Sequence, residues 1–571
     1  MPKIAVTDTG AINIIAADGS WTTAPLPPGV SLVAGAPRPT FATFRGHIYI
    51  CGAYTANLVV TRFAQVLRNG IEAPTTAPTL TPGAGTTAGA GPTGLQIGYV
   101  SFLIKDGDEI LCESDLSPAS ATVEVTDQAL AWSALPTTTY TLANFMRGYR
   151  SIGGSVPLLA WEEPITTTTV TDSVATATLA LRETAVVTTG ADGTVVQDND
   201  ARGVMPYCRY VEPYGDAMVY SGDPEHPERV YVSRLFEPQA VNVSETSPRY
   251  LRTKDGSAVT GLKRWGDMVI VSSAKSMHAL QGFDSGDYQI VRISSFYGAL
   301  SQRSMTTVGP NGDLVFASQD GPIRYNGAFH EMADDTLKTY WRTDYQANQL
   351  NYEQSFASED RWIAGGYKLV IPQAADATNK TFAYFGHWDP VRRGEKPWWV
   401  FDRQARKLSA LGILTSGGVG GQLYSGSCDG YIRLENVASN GDDDGDTYQK
   451  AMTITHKHFF FGDQSGDEAH GFSYKDSDLF VKNENTALTV RFYGGDDQAS
   501  SAATADCTLT LAASAVTTPR AKVARTSVHR TLSEVAGKGV TVQITATSPV
   551  GVEYRGLGIS RTEGPQERPF S

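Results

Sequence analysis

The chain has 571 residues, 41% of them hydrophobic and 19% charged, with 47 Lys and Arg against 60 Asp and Glu for a net charge of −13. One hydrophobic core stops growing well short of that length, so two to four domains are expected. The acidic balance argues against a tight nucleic-acid binder, which carries a basic face, but not against brief passage of DNA along a wall that repels phosphate.

No run of residues approaches the ~20 apolar positions of a membrane helix. Met1-Pro-Lys-Ile4 lacks the apolar stretch of a signal peptide. Cys51, Cys112, Cys208, Cys428 and Cys507 are odd in number and scattered, with no Cys-x-x-Cys. Reduced, packed thiols are expected, in a protein made and assembled in a reducing cytoplasm. With 56 Gly, many Thr and little helical periodicity, the chain reads as numerous short strands and turns. The clearest helical stretch is 334–348.

In chain order, Ile4–Val6 and Ile12–Ala16 read as strands before an Asp18-Gly19 turn, and a Pro-rich connection runs through Pro39. Arg45-Gly-His-Ile-Tyr-Ile50 and then 58–67 follow as strands. Pro74 to Thr93 is Thr, Ala, Gly and Pro with almost no large apolar residue, the composition of a linker. Leu95 to Ile104 alternates well, and short strands recur at 121–125, 130–132, 145–150, 157–161 and 167–171. This is the density of a β-sandwich. A second Thr/Ala-rich stretch leads out, and both connections are expected to be flexible hinges.

Beyond residue 205 the strands repeat. Ala317-Ser-Gln-Asp-Gly-Pro-Ile-Arg-Tyr-Asn326 returns as Gly426-Ser-Cys-Asp-Gly-Tyr-Ile-Arg-Leu-Glu435, each copy after a short apolar run. Asp320-Gly321 and Asp429-Gly430 are expected to supply the positive φ angles of tight hairpins. A looser copy begins at Gly266-Asp-Met-Val-Ile-Val, about 46 residues before Gly312-Asp-Leu-Val-Phe-Ala, the period of one four-stranded propeller blade. Six to eight blades are expected, with 1–74 completing the ring. Asn440-Gly-Asp-Asp-Asp-Gly-Asp446 marks a boundary, after which a second strand-rich region fits another sandwich.

Two resemblances arise from these residues. Gly98-Tyr-Val-Ser-Phe102, Glu113-Ser-Asp-Leu-Ser-Pro-Ala-Ser120, Arg147-Gly-Tyr-Arg-Ser151 and Thr171-Asp-Ser173 look like the fibronectin-III-like domains inserted in phage tail proteins. The segments over roughly 205–440, taken in order, are similar to the propeller of short-tailed phage nozzle proteins, the tail tubular protein B-like family. The implied architecture is all-β: 1–74 first propeller strands, 75–183 an inserted fibronectin-III/Ig-like sandwich, 184–445 the rest of the propeller, and 446–571 a C-terminal sandwich.

The implied role is a structural virion protein of a bacteriophage tail. Six copies would form a nozzle or hub ring around the channel for DNA retention and ejection, in transient contact with genomic DNA. Its neighbours would be tail adaptor and tail fibre or spike proteins, with assembly in the host cytoplasm. The alternative is a propeller that binds or cleaves host-surface carbohydrate.

Several residues invite chemistry. Asp442, Asp443, Asp444 and Asp446 offer oxygens for Ca²⁺, but no Glu stands where an EF-hand loop needs one, so a solvated linker is the plainer reading. His456 and His458 share one face of an expected strand and could hold a metal with His470, although nothing completes a recognisable ligand set. The Ser-x-Asp-Gly repeats resemble the Asp-box of sialidases with Gly one place early. Arg324 and Arg433, at equivalent repeat positions, read either as a basic ring in a channel or as blade-to-blade ion pairs. No Gly-x-Ser-x-Gly, P-loop or His-Glu-x-x-His occurs, so no enzymatic activity, catalytic residue, metal or cofactor is expected.

Overall fold

The structure is a computed structural model. It describes residues 3–7, 9–16, 20–33, 38–107, 109–185, 188–189, 195–196, 205–241, 250–283, 287–309, 312–333, 337–339, 341–342, 350–360, 366–373, 381–387, 391, 397–404, 408–416, 419–427 and 431–434, then strands at 452–455, 459–460, 472–483, 488–494, 507–511, 523–526, 536–537, 539–546 and 552–563. The chain forms two compact units, 1–433 and 434–571. Their boundary falls ahead of the acidic run at 440–446 that the composition singles out.

The first unit is built from antiparallel sheets whose strands neighbour one another in sequence order. Sheet A has three strands, Lys3–Val6, Ile12–Ile15 and Trp21–Ala24. Sheet B has Thr40–Phe44, His47–Cys51, Leu58–Val60 and Val66–Arg68. Sheet C has Tyr210–Tyr214, Ala217–Ser221, Arg229–Val232 and Tyr250–Arg252. Sheet D has Val259–Trp265, Met268–Ser273, Met277–Gln281 and Gln289–Ser294. Sheet E has Thr306–Val308, Asp313–Ser318, Gly321–Tyr325 and Phe329–Glu331. Sheet F has Phe356–Asp360, Gly366–Pro372, Thr381–His387 and Trp398–Gln404. Sheet G has Leu408–Ser416, Val419–Ser427 and Ile432–Leu434.

The second strands explain how these sheets stack. Side chains alternate across a strand, so each second strand serves two interfaces. In sheet B, Ile48 and Ile50 pack on Ile12 and Ala24 of sheet A. Their neighbours Tyr49 and Cys51 pack on Val211, Met218 and Tyr220 of sheet C. Ala217 and Val219 of C then meet Leu262, Val269 and Val271 of D. Ile270 of D meets Leu314 and Phe316 of E, while Val315 and Ala317 of E meet Tyr367, Leu369 and Ile371 of F. Phe356 and Val370 of F meet Leu408 of G. Strands buried on both faces read as continuous apolar runs rather than as alternation, which is why Asp-Leu-Val-Phe-Ala-Ser and its relatives recur. Face-to-face meanders in chain order are the arrangement of a β-propeller.

The insert has two sheets, one of Thr79–Gly85, Gln128–Ser133 and Val170–Asp172, the other of Gly94–Asp106, Glu109–Glu113, Val123–Val125, Phe145–Ile152 and Leu158–Pro164. Between them lie Phe102, Ile104, Leu130, Trp132, Met146 and Trp161. The two indoles meet edge to face with centroids 5.3 Å apart. Glycine is required where they cross the backbone: a Cβ on Gly98 would stand 2.6 Å from the Trp132 ring, and one on Gly148 would overlap Trp161.

The expected hinge at the start of the insert is instead a strand. Thr79–Gly85 pairs with Gln128–Ser133. Its one large inward residue, Leu80, joins the core, and so do Leu67 and Ile71 from the end of sheet B. The low apolar content of 74–93 hid this because Trp132 fills the space from the partner strand. The second expected hinge, around 183–203, lies largely outside the described residues, but Glu183 is held by Arg147 at 3.2 Å. Arg147 also reaches Glu162 at 2.9 Å and Glu113 at 3.4 Å. Glu113 in turn accepts from Ser101 and Tyr149, each at 2.7 Å.

Within 334–348, Leu337–Thr339 and Trp341–Arg342 are helical. Leu337 and Trp341 are buried with sheets E and F. In the second unit, Met452–Thr455, Gly539–Ala546, Leu488–Gly494, Cys507–Leu511 and Phe459–Phe460 make one sheet. Val523–Thr526, Phe472–Asn483, Ala536–Gly537 and Val552–Glu563 make another.

Three predictions follow from this packing. First, Arg150 and Asp172 form a fully buried pair at 3.3 Å, and burial pushes the guanidinium pKa down and the carboxyl pKa up despite their attraction. Asp172→Ala is expected to lose about 3–5 kcal/mol in urea unfolding because it strands a buried cation, whereas the double change Arg150→Met with Asp172→Leu loses less. Second, Ser318 pairs with Gly321 across a Gln319-Asp320 turn. The positive φ, 123°, falls on Gly321 and not on Asp320, and a Cβ there would stand 3.0 Å from that of Ala333. Gly321→Val is expected to cost about 1–3 kcal/mol. Asp320→Asn stays within about 0.5 kcal/mol, since Asp320 reaches Arg342 only at 3.7 Å in solvent. Third, limited proteolysis is expected to spare 75–93. Early release of the insert by cleavage there would show that it shares no core with sheet B.

Candidate functional site at the centre of the sheets

A short 3-10 turn, Gln302–Ser304, precedes sheet E. Gln302 donates to the carbonyl of Val211 in sheet C at 3.1 Å and accepts from the backbone of Leu262 in sheet D at 3.2 Å. The carbonyl of Ser304 accepts from Tyr367 of sheet F at 3.0 Å, and Arg303 donates to the carbonyl of Ser409 in sheet G at 3.0 Å. One turn is thus bonded to four other sheets, through the first strands of C, D and G and the second strand of F. The approach is close: a Cβ on Gly261 would stand 2.7 Å from the Cα of Gln302.

Arg38, leading into sheet B, donates to the same Ser409 carbonyl at 2.6 Å. Both guanidiniums also lie by the ring of Phe356, with Cζ 5.4 Å (Arg38) and 4.9 Å (Arg303) from its centroid. Burial, with Arg38 adding repulsion, pushes the Arg303 pKa down to about 9, which still leaves it a cation at neutral pH. Two fixed guanidiniums cannot serve as an acid and base pair, but their planar forks are suited to oxyanions. Nothing in the sequence marks these residues: Arg38 stands in a Pro-rich connection and Arg303 in a polar Ser-Gln-Arg-Ser stretch without periodicity.

A second cluster has the residue types of a hydrolase. Asp255, Ser257, Ser273, Ser276 and His278 gather beside the hairpin of sheet D. Ser257 bonds Asp255 at 2.6 Å and Ser273 at 2.8 Å, and Ser273 bonds Ser276 at 2.5 Å. His278 is fully buried, its Nε2 is 4.0 Å from Asp255, and neither ring nitrogen has a hydrogen-bond partner among the described residues. A nucleophile needs its base within hydrogen-bond reach, and the serine bonds here brace the turn.

Desolvation pushes the His278 pKa below 6.5, opposed by Asp255 and reinforced by Arg292 and Lys254. The unfolded chain therefore takes up this proton at a higher pH than the folded one. Stability from this group is full above the unfolded pKa and declines as pH falls below it. Thermal midpoints measured from about pH 7.5 to about pH 5 are expected to fall less steeply in His278→Leu than in the wild type.

The residues singled out by sequence are dispersed. Arg324 pairs with Asp313 at 2.7 Å, on the neighbouring strand of its own sheet. The ion pair printed for it is thus within one sheet, not between blades. Arg433 bonds Ser427 and lies over Tyr431, again within its own sheet region. Asp442, Asp443, Asp444, Asp446, His456, His458, His470, Cys428, Asp429 and Gly430 lie outside the described residues. Among the described residues no group of three or more His, Cys, Asp or Glu is placed to hold a metal. Cys51, Cys112 and Cys208 are buried, and Cys507 is in a strand. No described helix is long and apolar enough to cross a membrane.

No family model matches this chain, and no curated protein matches it. Among solved structures it is similar to the N-terminal domain of Nup159, at 10% identity and a TM-score of 0.24, over 63% of this chain and 83% of that one. It is also similar to Hsv2 of Kluyveromyces lactis, at 13% identity and a TM-score of 0.22, over 65% and 99% of the two chains. PorZ of Porphyromonas gingivalis gives 10% identity and a TM-score of 0.18, over 82% and 58%. Likenesses this loose carry no argument, and the propeller arrangement rests on the sheets and cores of this chain itself.

Proposed function

We propose that this protein is a structural subunit of a short-tailed bacteriophage tail, one member of a nozzle or hub ring around the DNA exit channel. In this reading sheets A to G are seven blades, the insert is a fibronectin-III-like module, and the second unit is a C-terminal sandwich. The observation that carries it is the single core running from sheet B into the insert through Leu67, Ile71, Leu80 and Trp132. A core shared by blade and insert suits a load-bearing wall better than a hinged binding module. The order of the repeat segments, which resembles the nozzle propeller, supplies the family. The 302–304 turn is bonded to sheets C, D, F and G, which favours a channel formed between copies over one through a single propeller.

The test is assembly. Solution mass and negative-stain images of the purified protein are expected to show rings of about six copies, as the family resemblance implies, with no measurable binding to duplex DNA at ~0.15 M salt. Particles lacking the protein are expected to package DNA and fail to retain or deliver it. A monomer or trimer that binds polysaccharide, tight salt-sensitive DNA binding, or normal infection by particles without the protein would each overturn this reading.

A further inference from the structure

We propose that Arg45, Phe236 and Phe283, along one face of sheets B, C and D, form a docking site for an acidic loop of a partner protein. In each of these sheets the loop from the third strand to the fourth carries an exposed phenylalanine: Phe63 (50% exposed) in B, Phe236 (50%) in C and Phe283 (74%) in D. A chain of contacts places the three on one face. The backbone N–H of Arg62, beside Phe63, donates to His47 at 3.3 Å. His47 follows the Arg45-Gly46 turn of sheet B, and the Arg45 guanidinium lies over the Phe236 ring with Cζ 4.4 Å from its centroid. Phe236 donates its N–H to the carbonyl of Asp216 at 2.7 Å. Tyr214, at the same turn of sheet C, donates to the carbonyl of Gly282, next to Phe283, at 2.6 Å. Exposed apolar side chains aligned across neighbouring sheets mark an interaction surface.

The chemistry of the occupant is visible at one end of the row. The Arg62 guanidinium stands over the Phe63 ring, Cζ 4.7 Å from its centroid, and meets Glu109 at 2.5 Å. Glu109 belongs to the hairpin of the insert, where it pairs with Asp106. An acidic hairpin tip thus already docks on the first arginine–phenylalanine pair. Arg45 over Phe236 repeats that pair in the next sheet. Arg45 is exposed and meets no carboxylate among the described residues. The row therefore continues a contact that the chain makes with itself, with the same cation and ring but without the acid, and an acidic loop supplies the complementary charge. The backbone at Phe236 agrees. Its φ is 66°, a region that strains a bulky side chain and that glycine enters freely. Half of the ring faces solvent, so internal packing gives little reason to hold a phenylalanine there, whereas a docked partner would cover it. The site does not rest on the tail reading.

The experiment uses the full chain. The probe is a fluorescein-labelled cyclic peptide copying residues 104–111, the tip of the insert hairpin, and binding is read by fluorescence anisotropy. The wild type is expected to bind it saturably below about 1 mM, and more weakly as salt rises. Arg45→Glu is expected to weaken binding about tenfold, and so is Glu109→Gln in the peptide. Phe283→Ala is expected to weaken it about threefold. Phe236→Gly is expected to abolish binding while the thermal midpoint of the protein stays level or rises, because the left-handed strain leaves with the ring. The proposal is overturned if no saturation is seen, if Arg45→Glu binds as the wild type does, if the Glu109→Gln peptide binds as its parent does, or if Phe236→Gly lowers the midpoint and keeps the binding. Binding to neutral phosphatidylcholine vesicles in place of the peptide would assign the face to a lipid surface. A change of oligomeric state in Arg45→Glu without peptide binding would assign it to a second copy. Either result also overturns the proposal.

Discussion

The second strands of sheets B to F are buried on both faces, and most of the architecture depends on that constraint. A residue such as Val315 belongs to the interface with sheet F, while Leu314 and Phe316 on either side belong to the interface with sheet D. A one-residue slip would exchange the two sets and spoil both interfaces at once. Register is therefore fixed from two sides, and the turns have less to do. Sheet E turns through Gln319-Asp320 with a glycine beside it, whereas sheet D turns through Ala274-Lys275 with flanking serine hydroxyls as the brace. The same two-sided burial leaves little room for a cleft between neighbouring sheets, so the chemistry of the molecule lies at strand ends and at the centre.

Charge is handled in two ways. The insert encloses acids and bases together, and its Arg147 ties three strands and the exit at Glu183 into one network. The centre of the sheets encloses like charges. The first arrangement ties the strands of the insert to one another.

The sheets were legible in the sequence because doubly buried strands write long apolar words, and because the Asp-Gly hairpin is spelled the same way in two places. Their order along the chain followed from spacing, which left their number open at six to eight. The start of the insert was misread for a physical reason: a strand can be almost free of large side chains when its partner supplies the bulk, as Trp132 does over Leu80 and Gly98. Repeat position could not say which neighbour carries the acid for Arg324, and Asp313 lies one strand away in the same sheet. Arg38 and Arg303 could not be found from spacing at all. They lie in irregular connections, and only the convergence of distant sheets brings them to one carbonyl.

The shared acceptor also orders events in time. Arg38 and Ser409 are separated by 371 positions, and synthesis at ~5–20 residues per second places roughly 20–75 s between their appearances at the ribosome. Through that interval sheets B to F can stack from one side as they emerge, but the side facing sheet G stays open and the two cations stay wet. The last sheet to be made is therefore the one whose arrival dehydrates them. Translation pauses in that window would prolong the life of an incomplete, solvent-filled centre and leave the side chains of Phe356 and Val370 uncovered.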